Sequence, residues 1–320
     1  MFKFMSTVML LVSCIHSSYA ISTHNKNVIY ITLDGTRYQD FFEQKEKKFP
    51  FLWNHYAHLG ELAGGPTPKT MSTASIPVSL PSYLSMTTGQ IGSCASNTCP
   101  IVQEETLFDK IAKVHQLTYE QIAVFSSWNA INKTISAAPN IAYVNTGNHI
   151  AVAPYSNRPD KVMSQLNHQQ KKHPSSWDNE DRMDSYTYRQ AKHYLQKYKP
   201  QFMWIALGDA DEYAHDNNQQ AYLRTLRQYD RILDDLFHTL KDMPEYAKDT
   251  TIIVTTDHGR GDGTNWTMHG PKFPESKQSF LFVLDGQSLL SKTPPKVKHL
   301  TQAHYTTLSI RPLIETIMGS

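Results

Sequence analysis

Ile252-Ile253-Val254-Thr255-Thr256-Asp257-His258-Gly259 is the stretch whose reading decides the fold. An apolar, β-branched run stops abruptly at Asp-His-Gly. Such a run reads as a buried strand of a parallel sheet covered on both faces. Asp257 and His258 then stand at its C-terminal end, the edge where open α/β sheets carry their chemistry. Gly259 lets the chain turn there without a Cβ in the way. Carboxylate beside imidazole suits a divalent ion such as zinc or manganese. An Asp that caps the next element beside an unrelated His would give the same letters.

Two other stretches repeat the pattern. Asn27-Val28-Ile29-Tyr30-Ile31-Thr32-Leu33 runs into Asp34-Gly35, and Phe202-Met203-Trp204-Ile205-Ala206-Leu207 runs into Gly208 and then Asp211 and His215. Asp34 alone reads equally as a turn residue before Gly. Asp211 and His215 are four apart, so one helical turn puts both on one face. An ordinary ion pair at that spacing is the bland alternative.

Between these strands the pattern turns helical over Phe49–Leu62, Glu105–Gln116, Arg182–Tyr198, Ala221–Leu240 and His304–Met318. Further strands are expected at Ile122–Phe125, Ile141–Val144 and Phe280–Leu284. Ser79 to Gly89 reads as a helix with Ser79 at its N-cap and Gly89 as its stop. A serine at a helix start either caps or meets an anion on the free N–H groups there. Residues 147–181 are polar and carry Pro154, Pro159 and Pro174, so a small irregular lobe is expected. Gly259 to Gly270 is a Gly-rich loop that carries His269. Alternating strands and helices predict an α/β sandwich.

The 320 residues suffice for a large core, and a net charge of +2 without a basic cluster leaves no nucleic-acid footprint. Lys3, the apolar run Met5 to Ile15 and Ser18-Tyr19-Ala20 read as an export signal over residues 1–20, leaving 21–320 as one domain. The apolar core is too short to span a bilayer, so no transmembrane helix is expected in the mature chain. Leu11-Val12-Ser13-Cys14 offers a second reading, a lipoprotein anchored at Cys14. Either way the protein is exported, periplasmic or secreted. Cys94 and Cys99 then remain, and two close cysteines in an exported chain favour a disulfide.

The order Asp34, Ser79, Asp211-x3-His215, Asp257-His258, His269 resembles the alkaline phosphatase superfamily, above all its type I phosphodiesterase/nucleotide pyrophosphatase branch of exported bacterial proteins. The resemblance implies a three-layer α/β/α sandwich with a largely parallel central sheet. It implies a phosphoric-ester hydrolase, phosphodiesterase or phosphatase, acting on a small-molecule phosphate ester. Two divalent ions are implied, zinc or alternatively manganese. Asp211, His215 and His269 would hold one, and Asp34, Asp257 and His258 the other, with Ser79 bound to it as the nucleophile of a phosphoenzyme. The branch usually has Thr as nucleophile and Asn three residues on; here these are Ser79 and Ser82. Sulfatases have Arg where Tyr83 stands. A sulfatase-like hydrolase and an inactive exported binding protein are the alternatives. Ser82, Tyr83, Arg37, Arg260 and Trp266 are the expected substrate contacts: the arginines for charged oxygens, with ordinary salt bridges as their alternative role, and Tyr83 and Trp266 for stacking on a leaving group.

Overall fold

The computed structural model describes residues 27–148, 160–177, 180–291 and 298–320. The strands are β1 (Asn27–Leu33), β2 (Glu61–Ala63), β3 (Thr70–Ser72), β4 (Ile122–Ser126), β5 (Tyr143–Thr146), β6 (Phe202–Leu207), β7 (Thr250–Thr255), β8 (Leu281–Asp285) and β9 (His304–Thr306). Seven of them form one sheet in the order β2-β8-β7-β1-β6-β4-β5, and β3 pairs with β9 apart from it. From β7 through β5 the strands are parallel, whereas β8 runs antiparallel to both β7 and β2. The expected export signal, with Cys14, lies outside the described residues, as do 149–159 and 178–179 of the expected lobe.

The period-2 alternation of the strands divides the core. Ile29, Ile31 and Leu33 of β1 face α4 (Asp184–Tyr198) and α6 (Gln219–Lys241), through Tyr194, Leu195, Leu233 and Phe237. Val28 and Tyr30 face α1 (Ser79–Thr88), α2 (Leu107–His115) and α7 (Ile310–Met318), through Met86, Phe108 and Ile314. Helices on both faces of a largely parallel sheet give the expected three layers. Every residue of β1, β6 and β7 is buried, which explains why they read as largely apolar runs without alternation.

Several local expectations need correction. Phe49–Leu62 is not one helix: it ends at Leu59 in a wide turn followed by a tight one, and Glu61–Ala63 crosses to β8 as an edge strand. The region 147–181, expected to be irregular, contains the helix α3 (Lys161–Lys172), capped by Asp160, whose carboxylate accepts the Met163 N–H at 3.0 Å. Its buried residues Met163, Leu166, Asn167 and Gln170 follow helical spacing, and two of them are polar, which hid the stripe. His304–Met318 begins as β9 and a tight turn before α7 starts. The N-cap of α1 is Val78, so Ser79 is the first helical residue; Gly89 ends the helix in the left-handed region, as expected.

Candidate active site

Three adjacent parallel strands end together. Leu33 of β1 is in register with Leu207 of β6, and Thr32 with Thr255 of β7. Beyond those ends come Asp34, the helix α5 (Asp209–His215) and Asp257-His258. The sheet register therefore delivers three carboxylates to one point, and the Asp34 N–H holds its strand end to Leu207 O at 2.9 Å. Gly35 turns there with φ of +60°, and a Cβ on it would run into Asp211 and Arg260. The start of α1 brings Ser79 to the same place: its Oγ lies 3.2 Å from His258 Nε2. The Gly-rich loop after β7 returns His269, whose ring stacks on His258 at 4.1 Å.

Two overlapping groups of three emerge, Asp34-Asp257-His258 and Asp211-His258-His269, each with ligand atoms within 4.8 Å of one another. His215 closes on the second, with Nε2 3.0 Å from Asp211 Oδ2 and 3.2 Å from His269 Nε2. All seven residues singled out from the sequence thus share one site. His258 belongs to both groups, a detail that the residue order does not reveal.

The chemistry of these donors fits divalent cations. Asp34 Oδ1 and Asp257 Oδ2 are buried and accept no hydrogen bond among the described residues. Burial, then Asp257 and Asp211, hold the Asp34 carboxyl well above the usual range; burial and then Asp211 push Asp257 up to about 7. Carboxylates so placed lack the positive charge that would ionise them. Burial lowers His258 and His269 to about 4, in the latter with help from His258, so both rings are neutral near pH 7. In each ring Nδ1 faces a backbone carbonyl, Gly259 O and Pro77 O, both at 2.9 Å. That fixes the proton on Nδ1 and leaves the Nε2 lone pair for a metal. Asp211 differs: burial pushes its carboxyl up, but Arg260 and His215 bring it well below the usual range. The His215 pKa rises correspondingly through its hydrogen bond to Asp211.

The expected substrate contacts are turned inward. Ser82 is fully buried, its hydroxyl among Ser75 Oγ and Ile76 O. Tyr83 is buried too and donates its hydroxyl to Asp34 Oδ2 at 2.8 Å, so it supports a carboxylate and offers no stacking face. Arg260 is fully buried against Asp211, and Arg37 is spent on Asp40 at 2.7 Å. Trp266 packs into the core against Tyr222. The open cleft instead, about 320 Å³, runs from Asp34, Ser79, Asp211 and His215 to Asn97, Trp128, Lys133 and Trp177. Sequence reasoning missed these four. Trp128 had a usable signal, since it comes just after the C-terminal end of β4. Asn97 lies within the Cys94–Cys99 loop, which a disulfide closes.

A profile of the family described as type I phosphodiesterase / nucleotide pyrophosphatase matches residues 101–306. That span includes Asp211, His215, Asp257, His258 and His269 and begins after Asp34 and Ser79. No curated protein sequence matches the chain. Among solved structures, the alkaline phosphatase of the Antarctic bacterium TAB5 aligns at 13% identity over 92% of this chain and 98% of that one, with a TM-score of 0.54. A protein of the alkaline phosphatase superfamily from Vibrio parahaemolyticus aligns at 14% identity over 92% and 67%, with a TM-score of 0.57. A 2-O GAG sulfatase aligns at 12% identity over 92% and 70%, also at 0.57. At these identities the structures establish a shared fold.

Proposed function

Because this chain belongs to the type I phosphodiesterase / nucleotide pyrophosphatase family, a branch of the alkaline phosphatase superfamily of hydrolases, we propose that it hydrolyses phosphoric esters at the cleft beside Ser79. The observation that carries this reading is the pair of buried carboxylate oxygens on Asp34 and Asp257 that accept no hydrogen bond among the described residues and face His258 Nε2 at 3.7 and 3.3 Å, beside two neutral imidazoles and a serine hydroxyl. Asp211, His215 and His269 would hold one divalent ion, and Asp34, Asp257, His258 and Ser79 the other, with zinc the best match to the donors. When bound, the ions supply positive charge that lowers the pKa of a hydroxyl and draws in an anionic ester.

The chain's own residues do the rest. Ser79 Oγ gives up its proton and bonds to phosphorus, while the ester oxygen departs with the bonding pair and takes up a proton. Water then attacks the phosphoserine; its oxygen stays on phosphorus and a proton returns to Ser79 Oγ. Tyr83 holds Asp34, and the carbonyls of Gly259 and Pro77 hold the two histidines, so the groups around Ser79 are set before an ester arrives.

With Arg37 and Arg260 committed to Asp40 and Asp211, Lys133 is the cleft's ammonium group. A dianionic monoester asks for more positive donors than a diester, so a diester is the better fit. Trp128 and Trp177 give the leaving group aromatic walls. The export signal and the Cys94–Cys99 disulfide support a place outside the cytoplasm, and no helix of the described residues is long and apolar enough to cross a membrane. The test is a panel of matched phosphate diesters, monoesters and sulfate esters on the metal-loaded and the chelated protein. A diester should give the highest kcat/KM, and chelation should remove it. A sulfate ester cleaved faster than either would overturn the assignment.

A further inference from the structure

A groove of about 640 Å³, larger than the cleft beside Ser79, opens between the start of α4, α5 and α6. Arg224, Arg227 and Arg231 of α6 line it. Spacings of three and then four residues set them on one face of the helix, in a row about 10 Å long. All three are exposed.

The row lacks counter-charge. Elsewhere Arg37, Arg260 and Arg311 each sit on a carboxylate, and Arg182 is buried among side-chain amides. Arg224, Arg227 and Arg231 make no ion pair among the described residues, and Arg227 spends only its Nε, on Lys47 O at 3.2 Å. The acids of their own helix are engaged elsewhere. Asp230 accepts the Phe51 and Leu52 N–H groups, Asp234 the Tyr56 hydroxyl and Asp235 the Lys192 ammonium. The carboxylate that lines the groove, Asp209, is buried and accepts the Asp184 N–H at 3.0 Å. Guanidinium forks without carboxylates suit phosphate or sulfate, whose oxygens they bind in pairs.

The groove adjoins the catalytic cleft. Asp209 lines both, and Tyr213 of the groove meets Trp177 of the cleft edge to face, with ring centres 5.1 Å apart. The helix between them, α5, has seven residues and is about 10 Å long. One ligand of modest length therefore reaches both.

We propose that the groove is an anion subsite of the same active site: Arg224, Arg227 and Arg231 hold further phosphate or sulfate groups of a multiply anionic ester whose scissile group lies beside Ser79. The inference rests on the ester-hydrolase reading of the cleft and adds that the substrate carries charge beyond the group that is cleaved.

The probe is inositol hexasulfate, a compact polyanion, added to the metal-loaded protein. It should bind by calorimetry and compete with a small chromogenic ester. The triple variant Arg224→Gln, Arg227→Gln, Arg231→Gln should weaken binding and raise the inhibition constant by at least ~10-fold. Lys113→Gln, Lys199→Gln, Lys241→Gln removes the same charge from exposed sites outside the groove and should leave both unchanged. Unfolding temperatures verify that each variant folds. With zinc in excess, inositol hexakisphosphate tells phosphate from sulfate: the tighter arginine-dependent binder names the group. Equal binding by the wild type and the arginine variant, or an equal loss in the lysine variant, would overturn the proposal. So would inhibition that the small ester does not relieve, because the groove and the cleft would then not share a ligand. Arginine-dependent binding to phosphatidylglycerol vesicles without binding of either inositol ester would replace the subsite with a membrane contact. The calorimetry does not depend on turnover. A wild type that binds the polyanion through its arginines but cleaves no ester contradicts the proposed function and leaves the anion site standing. A wild type that cleaves esters but binds without regard to the arginines contradicts this inference alone.

Discussion

Two buried carboxylate clusters flank β6, and they are opposites. On the β1 and β7 side, Asp34 and Asp257 each keep a buried oxygen with no hydrogen bond among the described residues. On the β4 side, Asp184 is equally buried but fully served. Its Oδ1 accepts the Gly208 N–H at 2.8 Å and the Ser127 hydroxyl, and its Oδ2 accepts the Asp209 N–H and the Tyr229 hydroxyl, both at 2.9 Å. Burying a polar group is costly unless it is paired, so the two clusters have different reasons to persist. Asp184 ties the β4 and β6 loops to α4 and α6. Asp34 and Asp257 make fewer ties, Asp34 to the Tyr83 hydroxyl and Asp257 to the Gly35 N–H, and each keeps one oxygen that could serve a cation. Acidity and burial alone would have ranked the two clusters as equals; the hydrogen-bond pattern separates them.

The largest effect should fall on turnover at the incomplete cluster. Ser79→Ala removes one oxygen from a residue whose side chain caps nothing. It should lower kcat by at least ~10³-fold and leave the unfolding temperature nearly unchanged. Activity within tenfold of the wild type would show that a different group attacks.

The next effect should fall on stability at the complete cluster. Asp184→Ala strands two backbone N–H groups and two hydroxyls, so a loss of about 3 kcal/mol is expected in urea unfolding of the metal-free protein. The metal content of the folded fraction should not change. A loss of metal together with a small loss of stability would erase the distinction drawn between the clusters.

A smaller effect, of opposite sign, is expected at Asp257. In the metal-free protein its carboxyl titrates at about 7, raised by burial and then by Asp211. Unfolded, it titrates at about 4. The folded state therefore binds the proton more tightly. The resulting stability is fully present below about pH 4 and is lost as the pH rises through 7. Asp257→Asn carries no such penalty. Without metal, the variant should gain on the wild type between about pH 5 and pH 8, by on the order of 1–2 kcal/mol. His258 and His269, whose lowered pKa values act in the opposite direction, are present in both variant and wild type. A pH-independent difference would mean that Asp257 is not held against its charge.

The sheet's central strands were legible because burial on both faces leaves its mark on composition: β1 and β7 are rich in β-branched residues and β6 is apolar throughout. The residues beyond their ends were legible for the same reason, since parallel strands in register bring their trailing residues to one edge. The edge of the sheet was harder. β2 has three residues and continues a helical-looking stretch, and its pairing with β8 depends on a partner more than two hundred residues away. The inward turn of Tyr83, Arg260 and Trp266 was illegible because their types suit a pocket and a core equally; tertiary packing decides between them. Asn97 was illegible because its place in the cleft depends on one hydrogen bond distant in sequence, from the Leu80 N–H.

The most direct test of the account is the metal content of the folded protein set beside its turnover. Purified with zinc supplied, the protein should carry about two ions per chain, and Asp257→Asn or Asp34→Asn should carry fewer while Asp184→Asn keeps both. Chelation should abolish ester hydrolysis, and added zinc or manganese should restore it. Full turnover after exhaustive chelation, with no metal left by elemental analysis, would contradict the reading of Asp34 and Asp257 as cation ligands.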